Sequence, residues 1–110
     1  MNRLIHIILL TLAPIGFVQA EPLNFNRDIR PILAANCFRC HGPDKAARQG
    51  ELRLDNSDAA TGNRDGRRAI HPGRPANSEL VRRIMSTDGD IRMPPEDSGS
   101  VLRVDEIETL

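Results

Sequence analysis

Cys37-Phe38-Arg39-Cys40-His41 puts two thiols and an imidazole within five residues. Cys-x-x-Cys-His is the attachment pattern of a c-type haem. Residues three apart on a helical turn share one side, so both sulfurs reach the two vinyl groups of one porphyrin as thioethers. His41 then offers its ring to the iron from the same face. Other chemistries use parts of this set. A Cys37–Cys40 disulfide suits an oxidising compartment. A redox-active Cys-x-x-Cys wants a βαβ surround, and the pattern here has none. A zinc site from Cys37, Cys40, His41 and His71 lacks a second paired spacing. Haem attachment uses all three residues of the motif.

An electron-carrying haem iron takes a Met or His opposite its proximal His. The candidates are His71, Met85 and Met93. Met85 shares an apolar helical stripe with Val81 and reads as core filler. His71 precedes Pro72 in a loop. Met93 is followed by Pro94 and Pro95, which restrict the backbone around it; that suits a side chain held in one place and favours Met93. The apolar residues left to line a haem are Ile29, Leu33, Leu52 and Leu54 in the first half, and Ile70, Leu80, Ile84 and Ile91 in the second. Arg53 and Arg92 are the candidates for the two propionates, because a guanidinium matches a carboxylate.

These residues need elements to position them. The spacing of Phe25, Ile29, Ile32 and Leu33 predicts a helix from a cap at Asn24 or Asn26 to about Asn36. Pro31 must kink it or stand near its start. Leu52-Arg53-Leu54 alternates like a short extended segment. Asn56 or Ser57 caps a helical turn through Ala60, ended by Gly62. Asn77 or Ser78 caps a further helix with Leu80, Val81, Ile84 and Met85 on one face. Asp88 to Gly99 reads as irregular. A last helix begins near Val104. The expectation is an all-α, small cytochrome c-like domain of about three helices, with long loops around one haem. Loops this long are unusual in a compact domain without a ligand.

Composition agrees. The 110 residues carry 15 Lys+Arg and 15 Asp+Glu, and Lys45 is the one lysine. A balanced chain lacks the basic face of a nucleic-acid binder. Hydrophobic content is 39% and aromatic content 3%, with no Trp or Tyr, thin for a core that must stand alone. Met1 to Ala20 reads as a secretory leader, with Arg3, an apolar stretch from Leu4 to Phe17, and Val18-Gln19-Ala20 before the cleavage point. Retention of the leader as an anchor is the alternative. Residues 21–110 are then the domain, periplasmic or secreted, with no membrane span once the leader is cleaved.

With these residues in place, the chain resembles the planctomycete-type cytochrome c domain. The resemblance rests on Phe25-Asn26-Arg27-Asp28-Ile29-Arg30-Pro31-Ile32-Leu33, running into Cys37 to Asp44. It continues through Leu52-Arg53-Leu54-Asp55, Ala69 to Pro75 and Ser78-Glu79-Leu80, and closes on Arg92-Met93-Pro94-Pro95. It implies one haem c on Cys37 and Cys40, with His41 proximal and Met93 distal. It also implies that such a domain opens a longer exported protein. Two features depart from the family pattern. Arg103 stands where Ser or Thr caps the last helix, and the final helix, which runs on and carries a Trp in the family, stops at Leu110. The second leads to the expectation of a fragment with an incomplete C-terminal helix.

The sequence therefore points to an exported electron-transfer module with His/Met-ligated iron. It would serve a redox partner protein and be joined to further domains of the same polypeptide. No recognisable arrangement of catalytic acid, base or nucleophile accompanies it, so a carrier is expected rather than an enzyme. The competing readings are a haem sensor or peroxidase-like enzyme with an open sixth site, and a redox-inert interaction module.

Overall fold

The computed structural model describes residues 13–110. The leader expected over Met1 to Ala20 lies largely outside the described residues, and residues 13–20 are exposed and without regular structure. Four short helices follow in order: α1 (Arg30–Asn36), α2 (Ser57–Thr61), α3 (Glu79–Ile84) and α4 (Val104–Thr109). There are no strands among the described residues, only isolated bridges pairing Arg64 with Arg67 and Arg68 with Ser78. Leu52-Arg53-Leu54 pairs with no second strand. The architecture is all-α, as expected, and consists mostly of loops.

Local chemistry sets the first helix. The Asn24 side chain accepts from the Arg27 amide at 3.0 Å, and Asp28 reaches back to the Asn24 amide at 2.7 Å. These reciprocal bonds satisfy amides that a helix start leaves unpaired. Phe25–Ile29 winds as a π turn, and α1 proper starts at Arg30, with Pro31 in its first turn. The amide that Pro31 lacks falls at the junction where the winding changes from the π turn to α1. Asn56 caps α2 through the Ala59 amide at 2.9 Å.

Helix α3 differs from expectation. Ser78 precedes it but does not cap it. Its hydroxyl is buried, accepts from the His71 amide at 2.8 Å and faces the His71 and Arg74 carbonyls. Loop carbonyls take over at the helix start: Glu79 N–H donates to Arg68 at 3.0 Å and Leu80 N–H to Ala69 at 2.9 Å. This fastens the 64–69 loop to α3. At α4, Arg103 has no acceptor to cap with, and Glu106 accepts from the Arg103 amide at 2.8 Å instead.

The buried apolar core is small: Leu33, Leu54, Ala60, Ala69 and Ile84. Loops are held by arginines that donate to backbone carbonyls. Arg48 bonds Gly42 and Pro43, Arg64 bonds Gly50 and Glu51, and Arg68 bonds Thr61. The guanidinium fork suits this role, since several donors diverge from one planar head.

Candidate functional site

Cys37 follows α1 directly. Its amide donates to the Leu33 carbonyl at 2.8 Å, and the Cys37 carbonyl accepts from His41 at 2.8 Å and Cys40 at 3.2 Å. The motif is thus wound as a turn directly after the helix, with both thiols on it. The thiols are free and half-buried. Burial, with a smaller effect of neighbouring Cys40, pushes the Cys37 thiol up to about 11. The next loop returns to the motif. Gln49 donates its amide to Cys40 at 2.7 Å, and its carbonyl lies 3.1 Å from His41 Nδ1. A carbonyl only accepts, so Nδ1 carries the proton and Nε2 keeps its lone pair in the neutral ring. Burial lowers the His41 pKa against the Gln49 bond, which raises it, and the charges of Arg64 and Arg83 add to the lowering; this favours the neutral ring, the form that ligates a metal.

Cys37, Cys40, His41 and Met93 all line one cavity of about 1050 Å³. That is the upper end of the ~300–1,000 Å³ common for ligand pockets, within a chain of only 110 residues. Leu52, Leu54, Leu80 and Ile84 give it apolar walls. Of the other apolar candidates, Leu33 is fully buried beneath, and Ile70 packs on the core. Ile29 and Ile91 do not line it. The donor set fits a c-type haem: two free thiols, an imidazole with one free nitrogen, a thioether and an apolar interior.

Two sequence expectations are corrected. Met85 is 67% exposed and lines no cavity. It falls at the C-cap of α3, one residue past Ile84, where the helical stripe has turned outward. His71 also lies outside the cavity. Arg53 is committed to Asp55 through two bonds, at 3.1 and 2.6 Å, and Arg92 faces Glu96 at 3.8 Å. The cationic residues in the cavity wall are instead Arg39, Arg64, Arg67, Arg68 and Arg83. Four of them, all but Arg83, have no carboxylate partner among the described residues. Three fall in Asn63-Arg64-Asp65-Gly66-Arg67-Arg68, a turn whose charge run was the available clue. Nothing in the sequence marked Gln49.

Glu79 also reaches the cavity wall. The Arg82 hydrogen bond, then that of Arg83, holds its carboxyl down to about 2. A carboxylate with a depressed pKa gives its stability above its unfolded value and loses it on protonation. That contribution is complete above about pH 4.5 and disappears towards pH 2. Thermal melts of haem-loaded Glu79→Gln should therefore show a shallower acid limb than wild type across that window. Parallel limbs would mean the pair contributes nothing.

An all-α chain of loops around such a cavity defines a haem-binding domain of the cytochrome c class. Residues 37–97 match the family described as Planctomycete cytochrome C. The match covers more than half of the chain, and the protein belongs to that family. It opens on Cys37 and takes in most of the cavity wall, Met93 included. Searches of curated proteins and of solved structures gave no match.

Proposed function

We propose that this domain is an exported one-electron carrier holding a single covalent haem c, with His41 and Met93 as axial ligands. The observation that carries the proposal is that Met93, more than fifty residues beyond the motif, lines the same cavity as Cys37, Cys40 and His41. Bound haem c supplies a one-electron iron(III)/iron(II) couple.

The chain's own residues do the rest. Each thiol adds its S–H across one vinyl group, so nothing leaves and the porphyrin is tethered. Gln49 fixes the His41 tautomer, which raises the basicity of the ligating nitrogen. Leu52, Leu54, Leu80 and Ile84 exclude water and favour the less charged, reduced state. Arg64, Arg67 and Arg68 are placed to receive the two propionates, a match of guanidinium to carboxylate. The leader over residues 1–20 takes the chain to the periplasm or outside, where haem attachment and thiol chemistry belong. No helix among the described residues is long and apolar enough to cross a membrane. The carrier would meet a redox partner protein, or further domains of its own polypeptide.

The test is co-expression with a haem-attachment system, followed by intact mass and visible spectra. One haem increment per chain is expected. The oxidised protein should show the weak long-wavelength charge-transfer band of a thioether bound to iron. Met93→Ala should remove that band and lower the reduction potential, because a thioether ligand raises it. Met85→Ala, at an exposed position, should keep the band and change stability by less than about 0.5 kcal/mol. A mass without the haem increment defeats the proposal, and a band that survives Met93→Ala defeats the ligand assignment.

A further inference from the structure

Met93 stands in a stretch without helix support, between the turn at residues 88–92 and the single 3₁₀ turn Glu96–Ser98. A thioether is a neutral, weak donor, so its residence on a metal depends on how firmly its loop is held. Three hydrogen bonds hold this loop. The Met93 amide donates to the Arg83 carbonyl at 3.2 Å. Upstream, Arg83 Nη1 donates to the Ile91 carbonyl at 3.4 Å. Downstream, Arg39 Nη2 donates to the Ser98 carbonyl at 3.1 Å.

We propose that Arg39 and Arg83 are positioning residues that clamp the Met93 loop from its two ends and hold Met93 in the cavity it shares with His41. The inference rests on the reading of Met93 as the distal ligand and adds how this chain keeps it there. Arg83 comes from α3. Its Nε is fixed by Glu79 Oε1 at 2.9 Å, so the group that grips Ile91 is itself anchored. Arg39 comes from inside the Cys-x-x-Cys-His motif. The turn that carries the thiols and the imidazole therefore also grips the distal loop, bridging 59 residues of chain. The two arginines act differently. Arg83 needs a fork, because Nε serves a carboxylate while Nη1 serves a carbonyl. Arg39 makes one bond to one carbonyl, and a lysine ammonium could replace it.

The experiment uses the haem-loaded protein and measures how fast added imidazole takes the sixth position of the oxidised iron, which requires Met93 to leave. Arg39→Gln and Arg83→Gln are each expected to speed the reaction several-fold. The double variant should be faster by about tenfold or more, the rate equivalent of ~1.4 kcal/mol, about one hydrogen bond to a charged group. Arg39→Lys should restore the slow rate. Arg83→Lys should not, since one ammonium cannot replace the fork. Arg53→Gln, which breaks an ion pair away from the loop, should react like wild type. The clamp is overturned if the Gln variants match wild type or if Arg53→Gln speeds the reaction equally. Met93→Ala, measured alongside, separates the two claims. If it keeps the charge-transfer band, the ligand reading fails. If it loses the band while the arginine variants stay slow, only the clamp fails. Arg39 is exposed, so its substitution leaves the core intact and the test readable.

Discussion

Replacing both thiols of the Cys-x-x-Cys-His motif, Cys37→Ser with Cys40→Ser, is expected to leave a chain with no cooperative thermal transition. The buried apolar core is five residues, two of them alanines. Leu54, Ala60 and Ala69 pack on one another, and Leu54, Ala69 and Ile84 border a cavity of about 1050 Å³. Backbone ordering costs roughly 1–2 kcal/mol per residue, and apolar burial returns only about 25 cal/mol per Å². Of the cavity walls, Leu54 and Ile84 are already buried, whereas Leu52 and Leu80 are half-buried and stay open to water in an empty cavity. A covalent cofactor in that space covers them all and cannot dissociate when the fold loosens. Circular dichroism melts of the double variant and of the haem-loaded protein would decide this. A sigmoidal melt of the variant within a few degrees of the loaded protein would show that the polypeptide core suffices.

Gly42→Ala is expected to be the most damaging single-methyl change in the chain. A Cβ at Gly42 would clash with the Phe38 carbonyl oxygen and lie 2.9 Å from its carbon. Both are backbone atoms, so no side chain can swing away. Gly42 is also adjacent to His41, whose carbonyl accepts from Leu54 at 2.8 Å and whose ring is held by Gln49. Relief of the clash must open the motif turn or move the histidine. Overpacking commonly costs ~1–3 kcal/mol and sometimes more, and this case should reach at least the top of that range, with haem loading reduced. Gly73→Ala is the comparison. Gly73 has φ +71° and open space around it, so alanine there should cost only the ~1–2 kcal/mol of a left-handed backbone. Urea unfolding of the loaded proteins should separate the two by 1 kcal/mol or more, and equal losses would show that the turn yields freely.

Features that were legible in the sequence are decided within a few residues of themselves. Asn24 and Asn56 cap as expected because the amides they serve are three residues on. Pro31 falls in the first turn of α1 because it lacks the amide a helix interior requires. The Cys-x-x-Cys-His pattern and the all-α class also needed no distant partner. What was missed is only partly tertiary. Ser78 had the right place for a cap, but its hydroxyl went to His71 and Arg74, and the Arg68 and Ala69 carbonyls came from another loop to serve the helix. Met85 fitted the apolar stripe and still faces solvent, because α3 ends there. Arg53 resembled a propionate partner until Asp55, two residues away, proved to hold it. The cationic wall comes from a turn at residues 63–68 that is near the motif only in space.

The arginine bonds to loop carbonyls separate two properties that usually travel together, fixed position and slow amide exchange. In helices and sheets the same hydrogen bond fixes the chain and shields an N–H. Here a guanidinium fixes the chain by its oxygen and leaves the neighbouring amide alone. Arg64 pins the carbonyls of Gly50 and Glu51, yet neither residue donates an amide hydrogen bond among the described residues. Deuterium would enter such loops as fast as it enters a frayed terminus. Gly50 and Glu51 would then look soft to an exchange experiment while holding their place, and their order would have to be read from carbonyl-side probes.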